Sequence, residues 1–168
     1  GLESETDKHV RGTYGDLIDY LVKTVDKRAI KNLYDEYGVL QFYIEYMREQ
    51  SINEYDSNIP LAIGFDVYNV TESMKHNNLR TPAMKYREKF THFYKYEKIK
   101  SFFNKLNITV ANKVEFDYPL DADDFTIPLS KYAEIKAEGV IIRNDTMQRR
   151  YKLRSEYFKE VHKQSSGL

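Results

Sequence analysis

Cysteine is absent from the 168 residues, and so is tryptophan. Without cysteine there are no disulfides, no thiolate metal sites and no thiol nucleophile. An excess of charge is missing too: 26 basic and 26 acidic residues leave a formal net charge of +0. Such a chain has no global attraction to a polyanion, so any anion site must be a local grouping. No apolar run approaches the roughly 18–20 residues that cross a bilayer, and no leader pattern opens the sequence. The default expectation is a soluble, cytoplasmic protein with no membrane partner. Histidine is scarce, at positions 9, 76, 92 and 162, with no metal-ligand spacing, so no zinc site is assigned. Asp121, Asp123 and Asp124 are as acidic as a calcium loop but lack its glycine and its terminal glutamate; a plain acidic loop is expected.

What is present is enough chain for one domain with a core. Fifteen tyrosines and nine phenylalanines suit either core packing or stacking on bases. Residues 1–14 are polar and aperiodic, and a flexible terminus is expected. Residues 15–38 read as helical. Asp16 would cap a helix with Leu17, Ile18, Leu21, Val22 and Val25 on its apolar face. Asp26 would cap a second, with Ala29, Ile30, Leu33, Tyr34 and Tyr37 inward and Gly38 at its end.

Residues 39–163 read as sheet with helices, followed by a tail at 164–168. Val39–Tyr46 has strand periodicity. Leu61–Tyr68 is nearly continuous in apolar character and is expected to be central and buried on both faces. Residues 69–95 are polar, aromatic and basic, with a helix expected over 84–93. Ile99, Phe102, Phe103 and Leu106 stand at i, i+3, i+4 and i+7, a helical apolar stripe that Asn107 closes before a strand at 108–110. Short helices are expected over 129–136 and 155–163. Lys85, Arg87, Lys89, Lys95, Lys98 and Lys100 interleave with Tyr86, Phe90, Phe93, Tyr94 and Tyr96. That pattern fits a nucleic-acid surface or, equally, a solvated amphipathic helix. Strands interleaved with helices make an α+β domain.

The stretch 137–158 carries the densest chemistry. Glu138-Gly139 opens the apolar run Val140-Ile141-Ile142, which ends at Arg143. A turn at Asn144-Asp145-Thr146 follows, and Tyr151-Lys152-Leu153-Arg154 then alternates apolar with basic residues. A carboxylate at the mouth of one strand would thus face cations on the next. That suits a polyphosphate with its metal ion, although a strand-end acid and a solvated strand face are the simpler readings.

Glu138-Gly139-Val140-Ile141-Ile142-Arg143 resembles the fourth motif of the ATP-dependent polynucleotide ligases, the nucleotidyltransferase superfamily that includes RNA ligases. Lys152-Leu153-Arg154-Ser155-Glu156-Tyr157-Phe158 resembles their fifth motif in its RNA-ligase form. Upstream, Phe42-Tyr43-Ile44-Glu45 and Gly64-Phe65-Asp66-Val67 are similar to the third motif and the one after it. The resemblance covers residues 39–158. It implies an antiparallel-sheet nucleotidyltransferase (adenylation) domain of the ATP-grasp-like DNA/RNA ligase type, using ATP and Mg²⁺. It also implies joining of 5′-phosphate and 3′-hydroxyl ends, RNA in preference to DNA, through a lysyl-AMP intermediate. In that family Glu45 would bind the ribose, Phe65 would stack on the base, Arg143 would join the nucleotide site and Glu138 would hold the metal. Lys152 and Arg154 would bind phosphate oxygens, with Lys152 stabilising the α-phosphate during transfer.

One motif of that family is missing. The nucleophilic Lys-x-Asp/Glu-Gly should precede Glu45, and Lys8-His9-Val10-Arg11-Gly12 is one residue too long. The sole Lys-x-x-Gly is Lys136-Ala137-Glu138-Gly139, which as nucleophile motif would put the others out of order. Two expectations stay open: a piece lacking its N-terminal strands, or a relative that keeps a nucleotide or RNA site without the covalent step. A structural α+β domain is what the residues alone support.

Overall fold

The structure, a computed structural model, describes residues 5–47, 59–77, 92–114, 127, 129, 131–132, 138–145 and 149–155. It is a mixed α+β protein in two compact units. The first comprises Gly1–Met47 with Pro60–Ala111, the second Arg48–Ile59 with Asn112–Leu168. The expected helices at 84–93 and 155–163 and the acidic loop lie wholly or almost wholly outside the described residues.

In the first unit, α1 (Glu5–Thr24) and α2 (Lys27–Tyr37) lead into β1 (Leu40–Tyr46). The first helix begins at Glu5, well before Asp16. Residues 7–12 are exposed yet helical, because i→i−4 bonding and ordinary propensity do not require a buried face. The cap between the helices is as expected: Asp26 Oδ1 accepts from the Arg28 amide at 2.8 Å. Gly38 takes φ 75° and its amide donates to the Tyr34 carbonyl at 2.8 Å, a backbone state that a side chain would strain.

The inward faces of both helices are narrower than expected. Ala29, Leu33 and Tyr37 contact the core, whereas Ile30 and Tyr34 are 50% and 59% exposed and Val22 is 66% exposed. A helix against one sheet face buries only the stripe that meets it.

β2 (Ala62–Asn69) pairs antiparallel with β1 and parallel with β3 (Thr109–Val110), giving the order β1-β2-β3. The parallel pair departs from an all-antiparallel sheet. A parallel neighbour needs a crossover, and α4 (Tyr96–Lys105) lies between β2 and β3 in the chain. β2 is buried along most of its length, as its apolar run predicts. At its end, α3 (Val70–Asn77) starts where no helix was expected. Asn69 Oδ1 accepts from the Glu72 amide at 2.8 Å. The Asn69-x-x-Glu72 spacing is that of a capping box, a signal present in the sequence.

The core is one cluster of Leu33, Val67, Ile99, Phe102, Phe103, Leu106 and Ile108, with Phe42 and Ile44 packed against it. Full burial of such side chains stabilises by about 1.5–3 kcal/mol each. The i, i+3, i+4, i+7 stripe of α4 supplies four of them. Asn107 ends this helix at φ 59°, and the Ile108 amide turns back to the Phe103 carbonyl at 2.9 Å. Gly64 lies against the Phe103 ring, with no room between them for a Cβ.

In the second unit, β4 (Gly139–Asn144) and β5 (Arg149–Arg154) form an antiparallel hairpin. The helix expected over 129–136 is not seen where residues are described: Leu129 makes an isolated bridge and Lys131–Tyr132 a turn, while 130 and 133–136 lie outside the described residues.

Candidate functional site

The six residues singled out in the sequence fall in both units. Glu45 and Phe65 belong to the first, Glu138, Arg143, Lys152 and Arg154 to the second.

In the first unit the β1–β2 ladder pairs Tyr43 with Asp66 and Ile44 with Gly64. Phe65 is therefore the extra residue of a bulge. A bulge breaks the strict alternation of side chains and re-aims the residues at it. The Phe65 and Tyr43 rings lie 6.1 Å apart, and Tyr43 also meets Phe93 at 5.7 Å. Phe65 keeps part of its surface exposed, while Gly64 and Val67 stay with the core. Glu45, opposite Ile63 on β1, is exposed.

The bulge also creates a polar grouping that the sequence reading missed. Asp66 is 5% exposed and its Oδ1 accepts from the Val67 amide at 3.1 Å. Burial, and then the negative charge of Asp66, hold the Tyr43 phenol above the ordinary tyrosine range, with a smaller contribution from Tyr68. Tyr68 donates to Ser73 Oγ at 2.6 Å. The signal was the acid inside an apolar strand: a buried carboxylate must be matched by donors or by charge.

In the second unit, register makes the site. The pairs Gly139↔Arg154, Ile141↔Lys152 and Arg143↔Arg150 share one face of the hairpin; Val140↔Leu153, Ile142↔Tyr151 and Asn144↔Arg149 share the other. Glu138 stands just before the first pair. Its Oε1 accepts from Lys152 Nζ at 3.0 Å, and its carbonyl accepts from the Ser155 amide at 2.8 Å. Gly139 has no room for a Cβ beside the Leu153 carbonyl. The glycine of the Glu-Gly pair thus lets β5 pass close enough for Lys152 to reach Glu138.

The pair is partly solvated, with side chains 28% exposed for Glu138 and 48% for Lys152, so it adds little to stability, of order 0–1 kcal/mol. At the turn end, Asp145 Oδ1 accepts from Arg143 Nη2 at 3.0 Å and from Nε at 3.3 Å, and lies 3.5 Å from Arg150 Nη1. Arg150 was not singled out in the sequence; period-2 counting from Lys152 places it on the same face.

Among the described residues no group of three or more His, Cys, Asp or Glu side chains could hold a metal ion, and no helix is long and apolar enough to cross a membrane. Comparison with known proteins finds no matching family model, no matching curated protein and no matching solved structure.

Proposed function

We propose that this chain carries nucleotidyltransferase parts of an ATP-dependent RNA ligase. The observation that carries the reading is the hairpin: the Glu-Gly string and the Lys-x-Arg string are antiparallel neighbours, and Glu138 meets Lys152 at 3.0 Å. A carboxylate and an ammonium already side by side can exchange partners when a nucleotide arrives, the acid turning to a divalent metal and the cation to phosphate oxygen.

The residues present fit Mg²⁺, which is commonly held by one or two carboxylates together with substrate phosphates. Glu138 would be that carboxylate, and the bound ion would offset phosphate charge. Lys152 and Arg154 would hold α-phosphate oxygens and stabilise the charge that builds as the bond to the bridging oxygen breaks and pyrophosphate leaves. In a complete ligase a lysine nitrogen would attack the α-phosphorus as pyrophosphate leaves, a 5′-phosphate oxygen would displace that nitrogen and take up the AMP, and a 3′-hydroxyl would then displace the AMP. No Lys-x-Asp/Glu-Gly string precedes Glu45 in this sequence to supply such a lysine.

A second reading, a nucleotide- or RNA-binding module on the same scaffold, is favoured by one observation. The only Lys-x-x-Gly in the chain is Lys136-Ala137-Glu138-Gly139, which overlaps the fourth motif and follows Glu45 instead of preceding it. Thermal unfolding with and without ATP and Mg²⁺ tests what both readings share. The midpoint should rise with ligand and lose that rise in Lys152→Ala. An unchanged midpoint at saturating ATP would overturn both. Denaturing the chain after incubation with α-labelled ATP separates them: retained label supports the covalent enzyme, and protection without label supports the module.

A further inference from the structure

We propose that α2 is the contact between two copies of this chain, packed antiparallel about a two-fold axis. Ala29, Leu33 and Tyr37 take the inward stripe of the helix. The rows beside that stripe follow from the helical period. Ile30 and Tyr34, one turn apart, form the first row, and both are at least half exposed. Lys31 and Asp35 form the next, with Nζ 2.5 Å from Oδ2 and both side chains more than half exposed.

Two exposed apolar side chains would be ordinary by themselves. The order of the charges is what points to a second copy. Lys27, Arg28 and Lys31 stand in the first half of the helix, Asp35 and Glu36 near its end, with no acid in the first turn and no base in the last. That order runs against the helix's own dipole, which favours acids at the start and bases at the end. Antiparallel packing answers it: the basic half of each helix lies along the acidic half of the other. A parallel pair would set like charges side by side.

With the axis at the level of residues 32–33, Ile30 meets Tyr34 of the partner subunit, and Lys31 meets Asp35 of the partner subunit. The axis repeats both contacts. Each intrachain Lys31–Asp35 pair becomes half of a group of four alternating charges beside an apolar seam. Glu36 already has a cation of its own chain nearby, Lys98, so Asp35 is the acid offered outward. An interface built on one 11-residue helix is small. The dimer is therefore a weak one, which dilution separates. It needs neither nucleotide nor metal and stands apart from the ligase reading.

Sedimentation equilibrium of the full chain over a range of concentrations is the test. The wild-type chain should pass from monomer to dimer, and Tyr34→Ser should weaken the dimer by about tenfold or more. Lys31→Glu and Asp35→Lys should each do the same, because the axis places every new repulsion twice. All three changes lie at exposed positions, so unfolding midpoints in dilute solution should stay near that of the wild type. Mixed in equal amounts, the Lys31→Glu and Asp35→Lys chains should form a heterodimer about as tight as the wild-type dimer, since each supplies the charge the other lacks. A chain that stays monomeric up to about 1 mM overturns the proposal and leaves the face to solvent or to another protein. So does a dimer indifferent to Lys31→Glu, or a mixture in which the two variants fail to pair.

Discussion

The first unit is held by apolar burial and the described part of the second by backbone pairing and charge. In the first, Val67, Ile99, Phe102 and Phe103 are fully buried. In the second, Ser155 is the only buried residue among those described, and the hairpin carries its ion pairs on one face. The difference teaches where change is tolerated. A packed core resists any loss of volume, whereas a charged hairpin can exchange its partners for those of a ligand at little cost in stability.

The sharpest way to break this contrast is Phe103→Ala. It removes a fully buried ring that touches Phe42, with ring centroids 5.5 Å apart, and should cost about 3–5 kcal/mol in denaturant unfolding. A cost near zero would mean that the core is not where the burial places it. Next comes Gly139→Ala, which puts a methyl group against the Leu153 carbonyl. It should cost about 1–3 kcal/mol and speed hydrogen exchange at the Ser155 amide, with the amides of α4 unaffected.

Glu138→Gln sharpens the comparison from the other side. It should change stability by less than about 1 kcal/mol yet abolish thermal protection by ATP and Mg²⁺. Protection that survives the substitution would remove Glu138 from the proposed site.

The smallest effect is a pH dependence. The folded-state pKa of Tyr43 lies above its unfolded value. Its contribution to stability is therefore complete below the ordinary tyrosine range and is lost as pH rises through the folded-state value. Phenolate absorbance should show one tyrosine ionising later than the rest, and Tyr43→Phe should remove it.

Much of the local structure was legible in the sequence. The Asp26 cap and the Gly38 stop depend on contacts within a few residues, and such contacts are written in residue order; the α4 stripe and the β2 run were legible as apolar patterns, although their burial comes from distant partners. The Glu138-Gly139 and Lys152-x-Arg154 strings were legible for the same reason, as was Arg150 to anyone counting by two. The inward set of α2 was not: Ile30 and Leu33 are equally apolar, and only the position of the sheet decides which of them is covered.

By itself, then, the sequence determined the element ends that carry a local signal, Asp26, Gly38 and Asn107, because capping acts over one or two turns of chain; the start of α1 at Glu5 and the helix α3 lay outside that reading. Tertiary structure alone decided the register that sets Arg143 opposite Arg150 across the hairpin, and the bulge that sets Phe65 apart from its neighbours. It also decided the parallel partner that β3 makes with β2. Each of these pairs residues distant in the chain, and a one-residue slip in pairing would have turned every side chain to the opposite face.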